Sequence, residues 1–216
     1  LVKLFKVMQS LLALNKVAVL IGGFFLMAMS ENVNLAWKLF DDLGYNDVAK
    51  SALLGNAMQE SFADLRPTAF NKNENAFGIF QWRDTSGTND AGVSWNSPRI
   101  QWLNKFAEIN NLDPNDIKTQ VLYTDWELRS KFRDTYDKLQ SDNLKDISGA
   151  TKLIDSSYVY SAGGTIDERI KNANQVFKNL SGVNTNQNIN TDYLDLDSTL
   201  VDDPEKLINT NFNPNT

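Results

Sequence analysis

The chain can do acid–base chemistry only through a short list of side chains. It contains no His and no Cys. Without His there is no ordinary general base at neutral pH, no His-dependent triad and no usual zinc ligand. Without Cys there is no thiol nucleophile, thiolate metal site or disulfide framework. Proton transfer must therefore fall to Asp, Glu, Tyr or Lys, and the sequence calls for neither a cofactor nor a metal. Among the acids, Glu60 has the most informative setting. Leu53, Asn56, Ala57 and Glu60 fall at i, i+3, i+4 and i+7, on one face of a helix. Glu60 then lies near that helix's C-terminal end, behind an Asn and apolar neighbours. The helix dipole and desolvation both disfavour a negative charge there, and a carboxyl group that keeps its proton is what a general acid needs. On spacing alone, a solvated Glu ending an ordinary helix is the competing reading.

The elements that must position Glu60 read as helices with one polar interruption. Ser30 can cap a helix with Val33, Ala36, Trp37, Phe40 and Leu43 on its apolar face, stopped by Gly44. Asn46 can cap the next, from Asp47 to about Ser61. Ser97-Pro98 opens another with Pro at its first helical position, and Ile100, Leu103 and Ala107 on one face. Asp113-Pro114 repeats the device before Ile117, Val121, Thr124 and Leu128. A later helix spans about 148–160, and Thr165-Ile-Asp-Glu168 is a capping box leading into Ile170, Ala173, Val176 and Phe177. Residues 63–96 differ. They are rich in Asn, Asp, Gly and Ser around one apolar run, AFGIFQW (76–82), which suits a small hairpin. The expected fold class is α+β, predominantly helical, with a long polar loop region on a short sheet.

Eighteen residues after Glu60 comes Gly78-Ile79-Phe80-Gln81-Trp82. With Gly55-Asn56 and Glu60-Ser61, this order resembles the phage tail lysozyme family and, more distantly, goose-type lysozymes and soluble lytic transglycosylases. Arg99 and Leu103, Gln120 with Glu127-Leu128, and Tyr158, Arg169 and Ala173 extend the resemblance over about residues 33–178. It implies a lysozyme-like fold acting on bacterial peptidoglycan, cleaving the β-1,4 bond between N-acetylmuramic acid and N-acetylglucosamine. Glu60 would protonate the leaving oxygen, Ser61 would orient it, and Gln81 would hold the N-acetyl group. Asn56 joins the substrate-binding candidates. Trp82 offers a ring for sugar stacking or, equally, for core packing. The late Tyr of the family is commonly followed by Glu, whereas this chain reads Tyr158-Val159-Tyr160-Ser161. Candidates for a second carboxylate are Asp64, Glu74, Asp84 and Asp90, with Glu74 and Asp84 favoured because they flank the apolar run. Should none serve, the alternative is a lytic transglycosylase giving 1,6-anhydro products. A non-catalytic virion protein of the same fold is a further alternative. A serine peptidase would need a Ser-Lys pair, and no such motif stands out.

The two ends differ from this middle. Residues 1–30 carry Lys3, Lys6 and Lys16 and no acid, then thirteen uncharged residues, VAVLIGGFFLMAM. That run is short for a membrane span, which needs about 20 residues, and extending it backward buries Lys16. A secretory signal cut after Ala28-Met29-Ser30, a signal-anchor, a buried N-terminal helix, or a start at Met29 are the readings. An N-terminal apolar helix serving export or membrane attachment is the expectation, so virion association, export to the periplasm or cell wall, and membrane anchoring all stay open. Residues 181–216 hold eight Asn, and six acids against Lys206, as expected of a flexible acidic tail. The chain thus divides into three segments, 1–30, 31–180 and 181–216. The net charge is −6 with no basic stripe, which argues against a nucleic-acid partner. Peptidoglycan, a membrane through residues 1–30 and other virion proteins are the expected partners.

Overall fold

The computed structural model describes residues 29–88, 94–141, 143–161 and 163–182, together with β1 (Leu20–Ile21) and β2 (Phe24–Phe25). These two short strands pair antiparallel, Leu20 opposite Phe25. At these four residues the expected apolar helix is replaced by a ladder, and the rest of that expectation lies outside the described residues, as does the acidic tail from 183 onward. No helix among the described residues is long and apolar enough to cross a membrane.

Ser30 accepts the Val33 N–H and caps α1 (Glu31–Asp42), which buries Val33, Ala36, Trp37, Leu39 and Phe40. Asn46 does the same for Ala49 at the start of α2 (Asp47–Ser61). Here the outcome differs from an amphipathic surface helix. From Ala49 to Met58 every residue of α2 is buried, so α2 is wrapped on all sides. Gly55 allows its closest contact. A Cβ at that position would lie 2.6 Å from the backbone nitrogen of Ala173, on α7 (Ile166–Leu180).

A four-stranded antiparallel sheet comes next, in the order β3 (Phe70–Asn71), β4 (Ala76–Phe77), β5 (Trp82–Thr88), β6 (Ser94–Pro98). The expected hairpin is β4–turn–β5, with Phe77 opposite Trp82. Gly78 makes its turn at φ +82, where a Cβ would stand 2.8 Å from the Trp82 ring and 2.9 Å from Gln120 Oε1. Gln120 belongs to α4 (Ile117–Lys131), a second helix buried for most of its length. Its Oε1 accepts the Ile79 N–H at 2.9 Å, and its Nε2 donates to the Pro67 and Pro114 carbonyls. One amide thus clamps the hairpin turn to the helical core.

Several helix starts depart from the sequence reading. Pro98 sits at the N-cap of α3 (Arg99–Ile109) rather than inside it, and has no capping side chain of its own. Asp116, not Asp113, caps α4, while Asp113 closes a turn onto Asn115. The short α5 (Arg133–Leu139) has no counterpart in the sequence reading. The expected helix over 148–160 is α6 (Ile147–Ile154), which widens into a π-helical turn over Asp155–Val159 and ends at Tyr160 with φ 56. At α7 the capping box does not form. Thr165 is the N-cap residue, but its hydroxyl accepts from Arg169 Nε instead of a helix N–H. The result is a mixed, helix-dominated fold, as the sequence implies.

Candidate active site

Helix α2 delivers Glu60 in its last turn, where the buried helix meets solvent, and 19 % of its side chain is exposed. It does not stand alone. Arg169 of α7, with its side chain 3 % exposed, donates from Nη2 to Glu60 Oε1 at 2.5 Å. The same guanidinium donates from Nη1 to Asn56 Oδ1 at 3.3 Å and from Nε to Thr165 Oγ1 at 3.2 Å. Asp155, in the π turn, brings its Oδ1 to 3.1 Å from Arg169 Nε. Because that N–H points at Thr165, the Asp155 contact is Coulombic, and Asp155 Oδ1 is buried without a hydrogen bond. One buried guanidinium is thus shared by two carboxylates.

The other expected site residues separate into two groups. Asn56 is fully buried, and its Nδ2 donates to the carbonyls of Ala52 and Thr151. It touches Arg169 and has no surface exposed to solvent. Ser61 is also fully buried, and its hydroxyl donates to the Ala57 carbonyl at 3.0 Å rather than to Glu60. Trp82 has no exposed surface and lies edge-on to Tyr123 with centroids 5.2 Å apart. Its ring has no face to offer a sugar, and of its two readings core packing holds. Among the described residues the large exposed aromatics are instead Phe62, Phe70 and Tyr160. Gln81 is half-buried, and its Nε2 donates to the Ala69 and Gly78 carbonyls. Its Oε1 accepts no hydrogen bond among the described residues.

The favoured second carboxylates have structural partners. Glu74 pairs with Arg83 at 3.2 Å. Asp84 accepts the Ile100 N–H at 2.8 Å and the Gln101 side-chain amide at 3.0 Å, so it caps α3 from β5. Asp64 pairs with Arg66 at 2.9 Å. Asp90 lies outside the described residues. No cluster among the described residues could hold a metal ion.

A second buried network supports the hairpin from below. Glu127, fully buried, takes Arg99 bidentately at 2.8 and 2.7 Å. It also accepts from Tyr123, Tyr158 and the Trp82 indole at 3.0, 2.7 and 3.2 Å. Five donors saturate the carboxylate. Burial, and then the charge of Glu127, push the Tyr123 and Tyr158 hydroxyls well above the ordinary tyrosine value. The Arg99 guanidinium is pulled down by burial, but Glu127 and Tyr158 outweigh this and hold it charged.

Two strained residues flank the site. Phe62, just after Glu60-Ser61, has φ 74 and ψ 160, and Gln81 has φ 49. The Phe62 geometry belongs essentially to glycine and costs roughly 1–3 kcal/mol. Such strain collects at functional sites. Gln81 also borders a cavity of about 460 Å³, together with Arg99 and Tyr160; Glu60 is not among its lining residues.

No curated protein matches the chain. The sequence profile of one family, described as phage tail lysozyme, matches residues 31–180, which take in Glu60, Arg169 and every element of the four-stranded sheet. The chain belongs to the phage tail lysozyme family.

Proposed function

We propose that the chain is a lysozyme-type peptidoglycan glycosidase in which Glu60 is the general acid for cleavage of the muramic acid–glucosamine β-1,4 bond. The observation that carries this reading is the Glu60–Arg169–Asp155 cluster. It is a part-exposed carboxyl at the end of a buried helix, fixed by a buried cation that holds a second carboxylate. The guanidinium holds the Glu60 carboxyl in one position at the solvent-facing end of its helix. Family membership and the strained Phe62 and Gln81 support the same reading. Glu60 protonates the leaving oxygen, and Gln81, with its free Oε1, meets the N-acetyl N–H. Arg169 and Asn56 position Glu60. Carriage in a phage virion, where a wall-opening enzyme acts during infection, is the setting that fits the family.

The transglycosylase reading is favoured by one observation. Glu74 and Asp84, the carboxylates expected to assist, are both tied to structural partners. Mass spectrometry of fragments released from purified peptidoglycan by the full chain decides, with Glu60→Gln in parallel. The wild type should release fragments with reducing muramic-acid ends, and the mutant should be slower by about 10²–10⁴-fold. Anhydro ends would establish the transglycosylase. Equal release by the mutant would remove Glu60 from the mechanism, and no release by the wild type would favour a non-catalytic virion component.

A further inference from the structure

We propose that the 460 Å³ cavity beside Gln81 is a subsite for the peptide-bearing sugar, in which Arg83 receives a carboxylate of the peptide stem. This rests on the glycosidase reading and adds a specificity determinant to it. The cavity has two unlike kinds of lining. Thr85 and Ser97 are direct partners across the β5–β6 ladder, so both hydroxyls stand on the same face of the sheet. Neither hydroxyl makes a hydrogen bond among the described residues. Phe132 and Tyr160 also line the cavity, with their rings 6.3 Å apart. A sugar has this polarity, with hydroxyl and amide edges and an apolar face.

The charge in the cavity is what separates one sugar from another. Among the described residues no carboxylate lines it, while two arginines do. Arg99 is spent, since Nε and Nη2 serve Glu127 and Nη1 donates to the Tyr158 carbonyl. Arg83 is not. Its side chain is 40 % exposed, and among the described residues it makes one contact, Nη1 to Glu74 at 3.2 Å. Both partners of that pair are open to water, so a ligand carboxylate can take over Arg83 or share it. The remaining donors offer a bidentate edge. A neutral N-acetylglucosamine polymer brings no anion. The muramyl residue brings a lactyl-linked peptide with free carboxylates, and the cavity's size falls within the range of ligand sites, about 300–1,000 Å³. A phosphate on another wall polymer shares the anionic chemistry, but a soluble disaccharide-peptide contains none.

The test is calorimetric titration of the full chain with such a disaccharide-peptide, and with the same compound after its carboxylates are converted to amides. Amidation should weaken wild-type binding about tenfold, as expected for loss of a charge-assisted pair. Arg83→Gln should lose a similar factor on the intact ligand and become indifferent to amidation. Glu74→Gln, which frees Arg83, should bind the intact ligand at least as tightly as wild type. Equal sensitivity to amidation in wild type and Arg83→Gln would overturn the assignment, as would a loss in Glu74→Gln matching that in Arg83→Gln. Binding is read without cleavage, so the two proposals fail separately. Arg83-dependent binding without wall fragments keeps the subsite and removes the glycosidase, and wall cleavage with amidation-indifferent binding does the reverse.

Discussion

Replacing Gly55 by Ala should loosen the site from a distance, and one contact sets the size of the effect. A Cβ at residue 55 would meet Ala173 Cβ and N at 2.6 Å and Cα at 2.7 Å. Carbon atoms pack at about 3.5–4.0 Å, so α7 would have to retreat by roughly 1 Å. Two of the three atoms are backbone, and no rotamer change relieves them. Overpacking of this kind costs about 1–3 kcal/mol, against a helix-propensity gain of at most about 1 kcal/mol for Ala over Gly. With the full propensity gain the net expectation is a loss of about 1 kcal/mol and at most about 2 kcal/mol, read as a lower urea midpoint at unchanged slope. Helix α7 also carries Arg169, so the same retreat would lengthen its 2.5 Å contact with Glu60. Wall cleavage should therefore fall by more than the unfolded fraction explains. Adding Ala173→Gly should not rescue, because it removes only one of the three clashing atoms. A Gly55→Ala protein as stable as wild type, or full rescue by Ala173→Gly, would refute the packing argument.

Two further predictions use other parts of the molecule. Burial pushes the Tyr45, Tyr123 and Tyr158 hydroxyls well above 10, so the native state keeps protons that the unfolded chain releases near pH 10. Their contribution is complete below about pH 10 and is lost as pH rises above it, so thermal unfolding should occur at a lower temperature at pH 11 than at pH 9, and an unchanged midpoint would contradict this. Asp84→Ala should cost about 1 kcal/mol through loss of the α3 cap and leave wall cleavage by the folded protein intact. A loss of cleavage at unchanged stability would return Asp84 to the candidates for second carboxylate.

Local signals in the sequence are reliable where a residue acts on its own neighbours. Ser30 and Asn46 cap α1 and α2 as their types suggest, and the AFGIFQW run turns at Gly78. The helix spacing that singles out Glu60 also holds, since Asn56 and Glu60 meet the same guanidinium. Side chains recruited across long sequence distances are the ones that could not be read. Thr165 has the form of a capping residue, but Arg169 takes its hydroxyl. Asp84 lies in a polar stretch and caps a helix that begins fifteen residues later. Asp155 gives no signal, because an uninterrupted α-helix over 148–160 hides the π turn that brings it to Arg169. The family-like residues Gln120, Glu127 and Tyr158 are buried supports of the hairpin, and Arg99 is tied to Glu127 while also lining the cavity beside Gln81.

The π turn at Asp155–Val159 makes this segment sensitive to length as well as to residue type. A π turn holds one residue more than α geometry would use, so the chain beyond it is rotated by about 100° relative to a continuous α-helix. Deleting any one residue between 155 and 159 would restore ordinary helical hydrogen bonding, a local gain. The same deletion would turn either Asp155 away from Arg169 or Tyr158 away from Glu127, since the two face different networks from opposite ends of the turn. Single substitutions here can be absorbed one network at a time, but a change of one in residue count uncouples the Glu60–Arg169 cluster from the hairpin support in a single step.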